Sequence, residues 1–437
     1  MTLLIISPDY ASHLYPLATL GAAWRDRGER VVVASGPATA GVVRTFGFEH
    51  EVLPLGRGSN PGVIRAEDQP LGEDDALRGF FDATRRGMIE TLRFQARARS
   101  NDLLWNPVET AHEVQRVVTR VKPDQVIVDH LAFSARLALT SAGVRHADVV
   151  LGHPSALSVG DEVYGYPAQW PRCFAPDRAD LDSLRRECEE VRDAFTLQWN
   201  DALRRLDPGA APSADAFTES GDVLLLNYSA ELHDEGRGGL LPPHAFLGSA
   251  VRDEAVDGEV QRWLATDAAP IVYVSFGSFL SVRGDVLARV AQALRGLDVR
   301  VAIATGSTRA PELGPIPASW LVRDFLPQVT LLRSAALAVS HGGNNSVTEA
   351  MTSGVPLLLL PFSTDQFAGA AAIEAAGFGA VLDPNAASVE EIREAVNCLL
   401  PLEDEARRRL DRLSTSLAGG VGPRRAYDTL VGASTWI

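Results

Sequence analysis

Hydrophobic positions along the chain gather into short continuous runs, each followed by a stretch with helical spacing. In the first half the runs are 3–7, 31–35, 126–129, 148–152 and 223–227; in the second they are 271–276, 301–305, 337–340 and 356–361. Continuous rather than alternating apolarity predicts strands covered on both faces, as in parallel sheets. Strands and helices alternating at this spacing predict βαβ units and a doubly wound α/β fold. Nine strands exceed one compact sheet of this kind, so two Rossmann-like domains facing a cleft are expected. The division falls at 1–230, a linker at 231–254 rich in Gly, Pro and charge, and 255–437. The last helix is free to pack back on the first domain.

Two irregular insertions interrupt the first domain: a Gly- and Pro-rich stretch at 56–72, and 153–174, which carries Tyr164, Tyr166, Trp170 and Phe174. Residues 177–206 read as one long amphipathic helix with acids and arginines on its wet face. In such sheets ligands bind beyond the carboxyl ends of the strands. Chemistry is therefore to be sought where the runs stop.

Composition narrows the picture. The 437 residues carry 56 acids against 41 bases, a formal net charge of −15, and Lys122 is the only lysine. This acidity, with no basic stripe, argues against a nucleic-acid partner. The preference for Arg fits GC-rich coding. Cys173, Cys188 and Cys398 are odd in number and lack metal-site spacing, as expected of ordinary thiols in a reducing compartment. The N-terminus lacks a basic region and no window has the length of a membrane span, so a cytoplasmic protein with no membrane partner is expected.

The run at 337–340 ends in His341-Gly342-Gly343 and enters a helical stretch that stops at Gly354. A helix N-terminus presents unpaired N–H groups and the positive end of a dipole, which favour a phosphate. Glycines let those amides approach it, and His341, Asn345 and Ser346 add donors. One turn further, Glu349 offers an acceptor for a ribose diol. The next run closes at Pro361 and leads to Asp365-Gln366, a carboxylate and an amide suited to vicinal hydroxyls. A tight βα turn and a helix cap are the plain structural alternatives for each motif alone. Together, on one sheet edge, they point to a diphosphate, a ribose and a second polyol: a nucleotide sugar.

The stretch 338–366 resembles the signature of UDP-glycosyltransferases of the GT-B fold, through His341-Gly342-Gly343, Ser346, Glu349, Pro356, Pro361 and Asp365-Gln366. By that resemblance Ser278 in VSFGS meets the donor phosphates. In RDFLPQ, Phe325 stacks on the base, Leu326 offers it backbone groups and Gln328 lies near the ribose. Phe at the stacking position leaves uracil and thymine both open.

The N-terminal half is left to supply the acceptor chemistry. His13 stands near the start of the first helix, where an imidazole can take a proton from a hydroxyl. His13 with Pro16 resembles the family's histidine and proline, although Ser12 replaces the usual glycine and is a candidate helix cap. Asp129, at a strand end, resembles the carboxylate partner that holds such an imidazole. Trp105, His153, Tyr164, Tyr166 and Trp170 are candidate acceptor contacts.

The resemblance implies an inverting, metal-independent enzyme, with no cofactor beyond its nucleotide-sugar co-substrate. It would move a sugar, glucose from UDP-glucose in the first instance, to a small natural-product acceptor, as a monomer or homodimer. A dTDP-deoxysugar-dependent antibiotic glycosyltransferase and a non-catalytic nucleotide-sugar binder are the alternatives. Asp180-Leu181-Asp182 has the form of a metal-binding D-x-D, but lies where acids favour a helix dipole. A pyridoxal-phosphate phosphorylase would need a lysine in the C-terminal domain, which has none.

Overall fold

The structure, a computed structural model, describes residues 1–62 and 73–432, the side chains of 99–102 excepted. Most of the expected insertion at 56–72 therefore lies outside the described residues. The first sheet contains β1 (Thr2–Ile6), β2 (Arg30–Ser35), β3 (Glu49–Val52), β4 (Gln125–Asp129), β5 (Ala147–Val150), β6 (Val223–Leu226) and β7 (His244–Phe246). The second contains β8 (Ile271–Ser275), β9 (Arg300–Ala304), β10 (Leu321–Arg323), β11 (Leu337–Ser340), β12 (Leu357–Leu359) and β13 (Gly379–Val381). Their orders are β3-β2-β1-β4-β5-β6-β7 and β10-β9-β8-β11-β12-β13, with every pairing parallel.

Both sheets are covered on both faces, as continuous apolarity requires. Leu3 and Ile5 pack with Leu14, Leu17 and Trp24 of the helix Ala11–Arg25, while Leu4 and Ile6 pack with Val114 and Val117 on the opposite face. In the second sheet Val272 and Val274 meet Val286, Leu287 and Val290, whereas Tyr273 faces Val347 and Met351. The helix Arg178–Leu206 runs 29 residues; Asp180 in its first turn is paired with Arg93 at 3.1 Å, so the D-x-D motif is tied into a helix–helix contact.

The division between domains shifts from its expected place. β7 lies inside 231–254 and pairs with β6, so the first sheet extends to Phe246. A three-residue, half-buried edge strand among glycines and prolines gives little hydrophobic signal. The helix Val421–Gly432 packs on the first domain: Tyr427 meets the Trp24 ring edge-on and bonds Glu29, and Leu430 sits in the same core.

The order in which strands are added reverses once in each sheet, between β1 and β4 and between β8 and β11. Crevices open at such switch points. The segments after these strands bring Tyr10–His13, His130 and Leu131 on one side, and Ser275, Gly277, Ser278, His341 and Gly343–Ser346 on the other, to the border of one cleft of about 1220 Å³.

Candidate active site

The switch point of the first sheet brings His13 and Asp129 together across 116 positions of sequence. His13 Nδ1 lies 2.7 Å from Asp129 Oδ2, with the His13 side chain 25% exposed and Asp129 fully buried. The other carboxylate oxygen accepts the Leu131 N–H at 2.9 Å, which fixes its orientation. Burial alone would lower the His13 pKa, but the charge and hydrogen bond of Asp129, with the charge of Asp365, outweigh it and hold the imidazole above its ordinary value. For Asp129 burial works upward, and His13, His130 and the Leu131 amide outweigh it, so the carboxyl is held below its ordinary value. A neutral His13 with Nδ1–H on Asp129 leaves Nε2 as a base.

Helix Ala11–Arg25 contains Pro16, which has no N–H for the Ser12 carbonyl four residues back. That carbonyl instead accepts Asn345 Nδ2 from the other domain at 2.8 Å. Ser12 lies inside the first turn, and the helix begins from Tyr10 without a side-chain cap, so the expected capping role is absent. Asn345 is also corrected: its amide is turned to Ser12 rather than presented to a diphosphate. Asn344, which sequence reasoning passed over, bonds the carbonyls of Leu151 at 2.8 Å and Asn227 at 3.0 Å. Two adjacent asparagines thus stitch the start of the helix Asn344–Thr352 to the first domain.

Opposite stands His341. Burial pushes its pKa down to about 4, with a backbone interaction at Ser275 acting the other way, so it is neutral near pH 7. Two glycines leave room for its Cε1–Nε2 edge: a Cβ on Gly343 would lie 2.5 Å from Nε2, and one on Gly277, at φ 67°, would lie 2.9 Å from Cε1. Gly343 precedes the helix Asn344–Thr352, whose first-turn amides have no intrahelical acceptors. Ser346, Ser278, Phe325, Leu326 and Gln328 line the same cleft. Phe325 is 65% exposed, an open aromatic face; Leu326 is buried. Ser278 Oγ accepts Asn60 Nδ2 at 3.2 Å, a contact from the first domain that no sequence motif announced.

Two expected sugar and ribose contacts are otherwise engaged. Glu349 does not border the main cleft; it is 3% exposed, paired with Arg252 at 2.9 Å and accepting Gln328 Nε2 at 2.6 Å. Burial raises its pKa, and Arg252 and Gln328 only partly offset this. The Gln366 side chain turns into its own loop: Oε1 accepts the N–H groups of Phe362 and Ser363, and Nε2 donates to Ser363 Oγ. A side-chain amide two to four residues from unpaired backbone groups satisfies them at low entropic cost. Gln366 nonetheless borders the cleft, as does Asp365. Asp365 Oδ2 accepts the His153 N–H at 2.6 Å and its Oδ1 the Thr364 hydroxyl at 2.9 Å. Thr364 adopts φ 49°, a left-handed conformation, and its N–H is held by Gln95 of the first domain.

Among the acceptor candidates, Tyr164 and Tyr166 line the cleft beside Phe80, Leu92 and Phe94. His153 does not: its ring is buried against Tyr228, with its pKa pushed down to about 3 chiefly by burial, and it contributes its backbone amide alone. Trp105 and Trp170 also lie off the cleft, Trp170 against the long mixed core. Aromatic loop residues have apolar area to bury and bury it locally.

Gly152 explains how close the domains approach. A Cβ there would lie 2.7 Å from Asp365 Oδ2. Gly152→Ala is expected to push Asp365 off the His153 amide and lower kcat about tenfold, a misplacement on the scale known to matter in positioned sites. Unchanged kcat with a folded protein would show that Asp365 needs no such anchor.

Residues 242–415, the span of the second sheet with its approach, match the family model for UDP-glucoronosyl and UDP-glucosyl transferases. The chain is 26% identical over 431 residues to the demethyllactenocin mycarosyltransferase of Streptomyces fradiae, covering 97% of this chain and 84% of that protein. It is 31% identical over 202 residues to the oleandomycin glycosyltransferase of Streptomyces antibioticus, covering 44% and 46%. Its fold matches the calicheamicin glycosyltransferase CalG4 with a TM-score of 0.67 at 19% identity, over 99% of this chain and 97% of that one. With two parallel sheets facing one cleft, the chain has the GT-B fold, and its residues 242–415 carry the likeness to the UDP-glycosyltransferase family.

Proposed function

We propose that the enzyme transfers one hexose from a nucleoside diphosphate to a hydroxyl of a small natural-product acceptor, with inversion and without a metal ion or other cofactor. The observation that carries this reading is the His13–Asp129 pair, 2.7 Å apart, on the same cleft as His341 and the helix that follows it. His13 Nε2 takes the acceptor's hydroxyl proton. The oxygen forms its bond to the anomeric carbon as the bond from that carbon to the diphosphate breaks, and the electron pair leaves with the diphosphate. His341 donates a hydrogen bond to the departing charge beside the helix amides, a preorganised set of dipoles. Asp365 accepts from the sugar hydroxyls. Tyr164, Tyr166, Phe80 and Phe94 supply an apolar wall for the acceptor.

A glucose on UDP was favoured by Glu349 and by Asp365 with Gln366. One observation supports the second donor: the Gln366 amide is bonded to its own loop, so Asp365 would carry more of the hexose contacts, which suits a sugar with fewer hydroxyls on dTDP. That two of the similar proteins act on antibiotics or their precursors by name fits this donor and acceptor class.

Calorimetric titration with UDP and dTDP, followed by transfer assays with the corresponding hexoses in the presence of EDTA, tests the reading. Tight binding of one nucleotide, full activity in EDTA and a product of inverted anomeric configuration are expected. Retention of configuration, or loss of turnover in EDTA restored by a divalent cation, would refute it.

A further inference from the structure

The cleft proposed to hold a diphosphate is strongly acidic. Glu73, Asp253, Glu254, Asp257, Asp324 and Asp365 border it, and His341 is neutral. Among the described residues that line it there is no lysine and one arginine, Arg252. In such surroundings a cation near the leaving group would add to what His341 and the helix amides offer its growing negative charge.

Arg252 follows the last strand of the first sheet, in the connection to the second domain. Its guanidinium packs 5.2 Å from the centroid of the Tyr15 ring on the first helix. Nη1 donates to Glu349 at 2.9 Å and Nη2 to Glu254 at 3.0 Å. It shares a small side cavity with Asn345, Thr348 and Glu349, so it lies within about one turn of the amides that begin the helix Asn344–Thr352. Glu254 has a second partner in the Thr330 N–H at 2.8 Å, and Glu349 a second in Gln328. Neither carboxylate is therefore left bare if the arginine turns away.

We propose that Arg252 is a diphosphate-binding residue, which exchanges its contact with Glu349 for the phosphates when a nucleotide enters. Glu349 keeps Gln328 and Glu254 keeps the Thr330 N–H, so both carboxylates retain a partner after the exchange. A fork-shaped guanidinium suits this better than an ammonium, because it can hold a carboxylate and a phosphate oxygen at once. The proposal rests on the nucleotide-sugar reading above. It adds a coupling: the linker between domains senses whether the donor carries its diphosphate.

Calorimetry on the full chain separates the two. The probes are UDP or dTDP, whichever the native protein binds, and the matching nucleoside, uridine or thymidine. Arg252→Gln is expected to weaken the diphosphate about 10- to 100-fold, as for loss of a charge-assisted hydrogen bond, while the nucleoside changes less than about threefold. Arg252→Lys should restore part of the loss. Because Glu254 and Glu349 would face each other in Arg252→Gln, the double variant R252Q/E349Q serves as a folded control and should lose diphosphate selectivity equally. Native diphosphate affinity in both glutamine variants would overturn the assignment and leave the donor reading standing. Equal weakening of nucleoside and diphosphate would also overturn it, making Arg252 a structural tie. A native protein that binds neither nucleotide would sink the donor reading and this proposal with it.

Discussion

Replacing His13 by alanine is expected to lower kcat by about 10²- to 10⁴-fold, the range for a positioned general base, while leaving calorimetric nucleotide affinity unchanged. The expectation rests on geometry: His13 meets Asp129 on the first-domain side of the cleft, whereas His341 and its helix stand on the other. Transfer that continues at the native rate would remove the mechanism. A fall in nucleotide affinity equal to the fall in rate would mean that His13 organises the donor instead.

The same pair fixes the sign of a pH experiment. His13 must be neutral to accept a proton, so kcat/KM should climb as pH rises through its folded pKa, which Asp129 and Asp365 hold above 6.5 against the effect of burial. Asp129→Asn removes the largest raising influence, so the limb should move to lower pH. The plateau should fall as well, because the imidazolium loses its counter-charge. Confusion with neighbouring histidines is limited: burial pushes His130 and His341 down to about 4. A limb that stays put in Asp129→Asn would belong to another group.

The inner strands were legible and the outer ones were not. All nine hydrophobic runs correspond to strands, and the four strands that hydrophobicity missed, β3, β7, β10 and β13, are the four sheet edges. They are three or four residues long and largely half-exposed: Glu49–Val52 has no buried residue, nor has His244–Phe246. An edge strand has one partner and often one wet face, so a continuous apolar run is not required of it. Periodicity finds what is buried twice and overlooks what is buried once.

The site divides along a similar line. His13, Asp129 and His341 stand out because strand ends at a switch point announce themselves by where an apolar run stops. Asp365 does so too. The contacts between domains have no such mark. Asn60 reaches Ser278 across 218 positions, Asn344 reaches Leu151 across 193, and Arg252 reaches Glu349 across 97. One local signal was available. Pro16 orphans the Ser12 carbonyl, so a donor from elsewhere was required there, although nothing local named Asn345. Where a polar side chain had two suitors, chain proximity won: Gln366 bonds residues three and four positions away. Motif spacing alone reads such a residue as free for a ligand.

Gly343→Ala is expected to behave as a lesion of His341. The added Cβ would lie 2.5 Å from His341 Nε2 and 2.9 Å from its Cε1, closer than side-chain carbons approach ring atoms, so the imidazole must shift. Backbone strain is not the cause, since Gly343 sits at φ −59°, a conformation open to alanine. The fold should therefore persist while the imidazole is tipped out of line with the departing diphosphate. Loss of one preorganised donor costs about 10²- to 10³-fold in kcat, and His341→Ala should lose the same. The decisive comparison is the pair. If the glycine acts through the histidine, Gly343→Ala added to His341→Ala removes little more, because the group it displaces is already gone. Additive losses in this cycle would mean instead that Gly343 serves the phosphate by its own bare backbone, with His341 contributing separately.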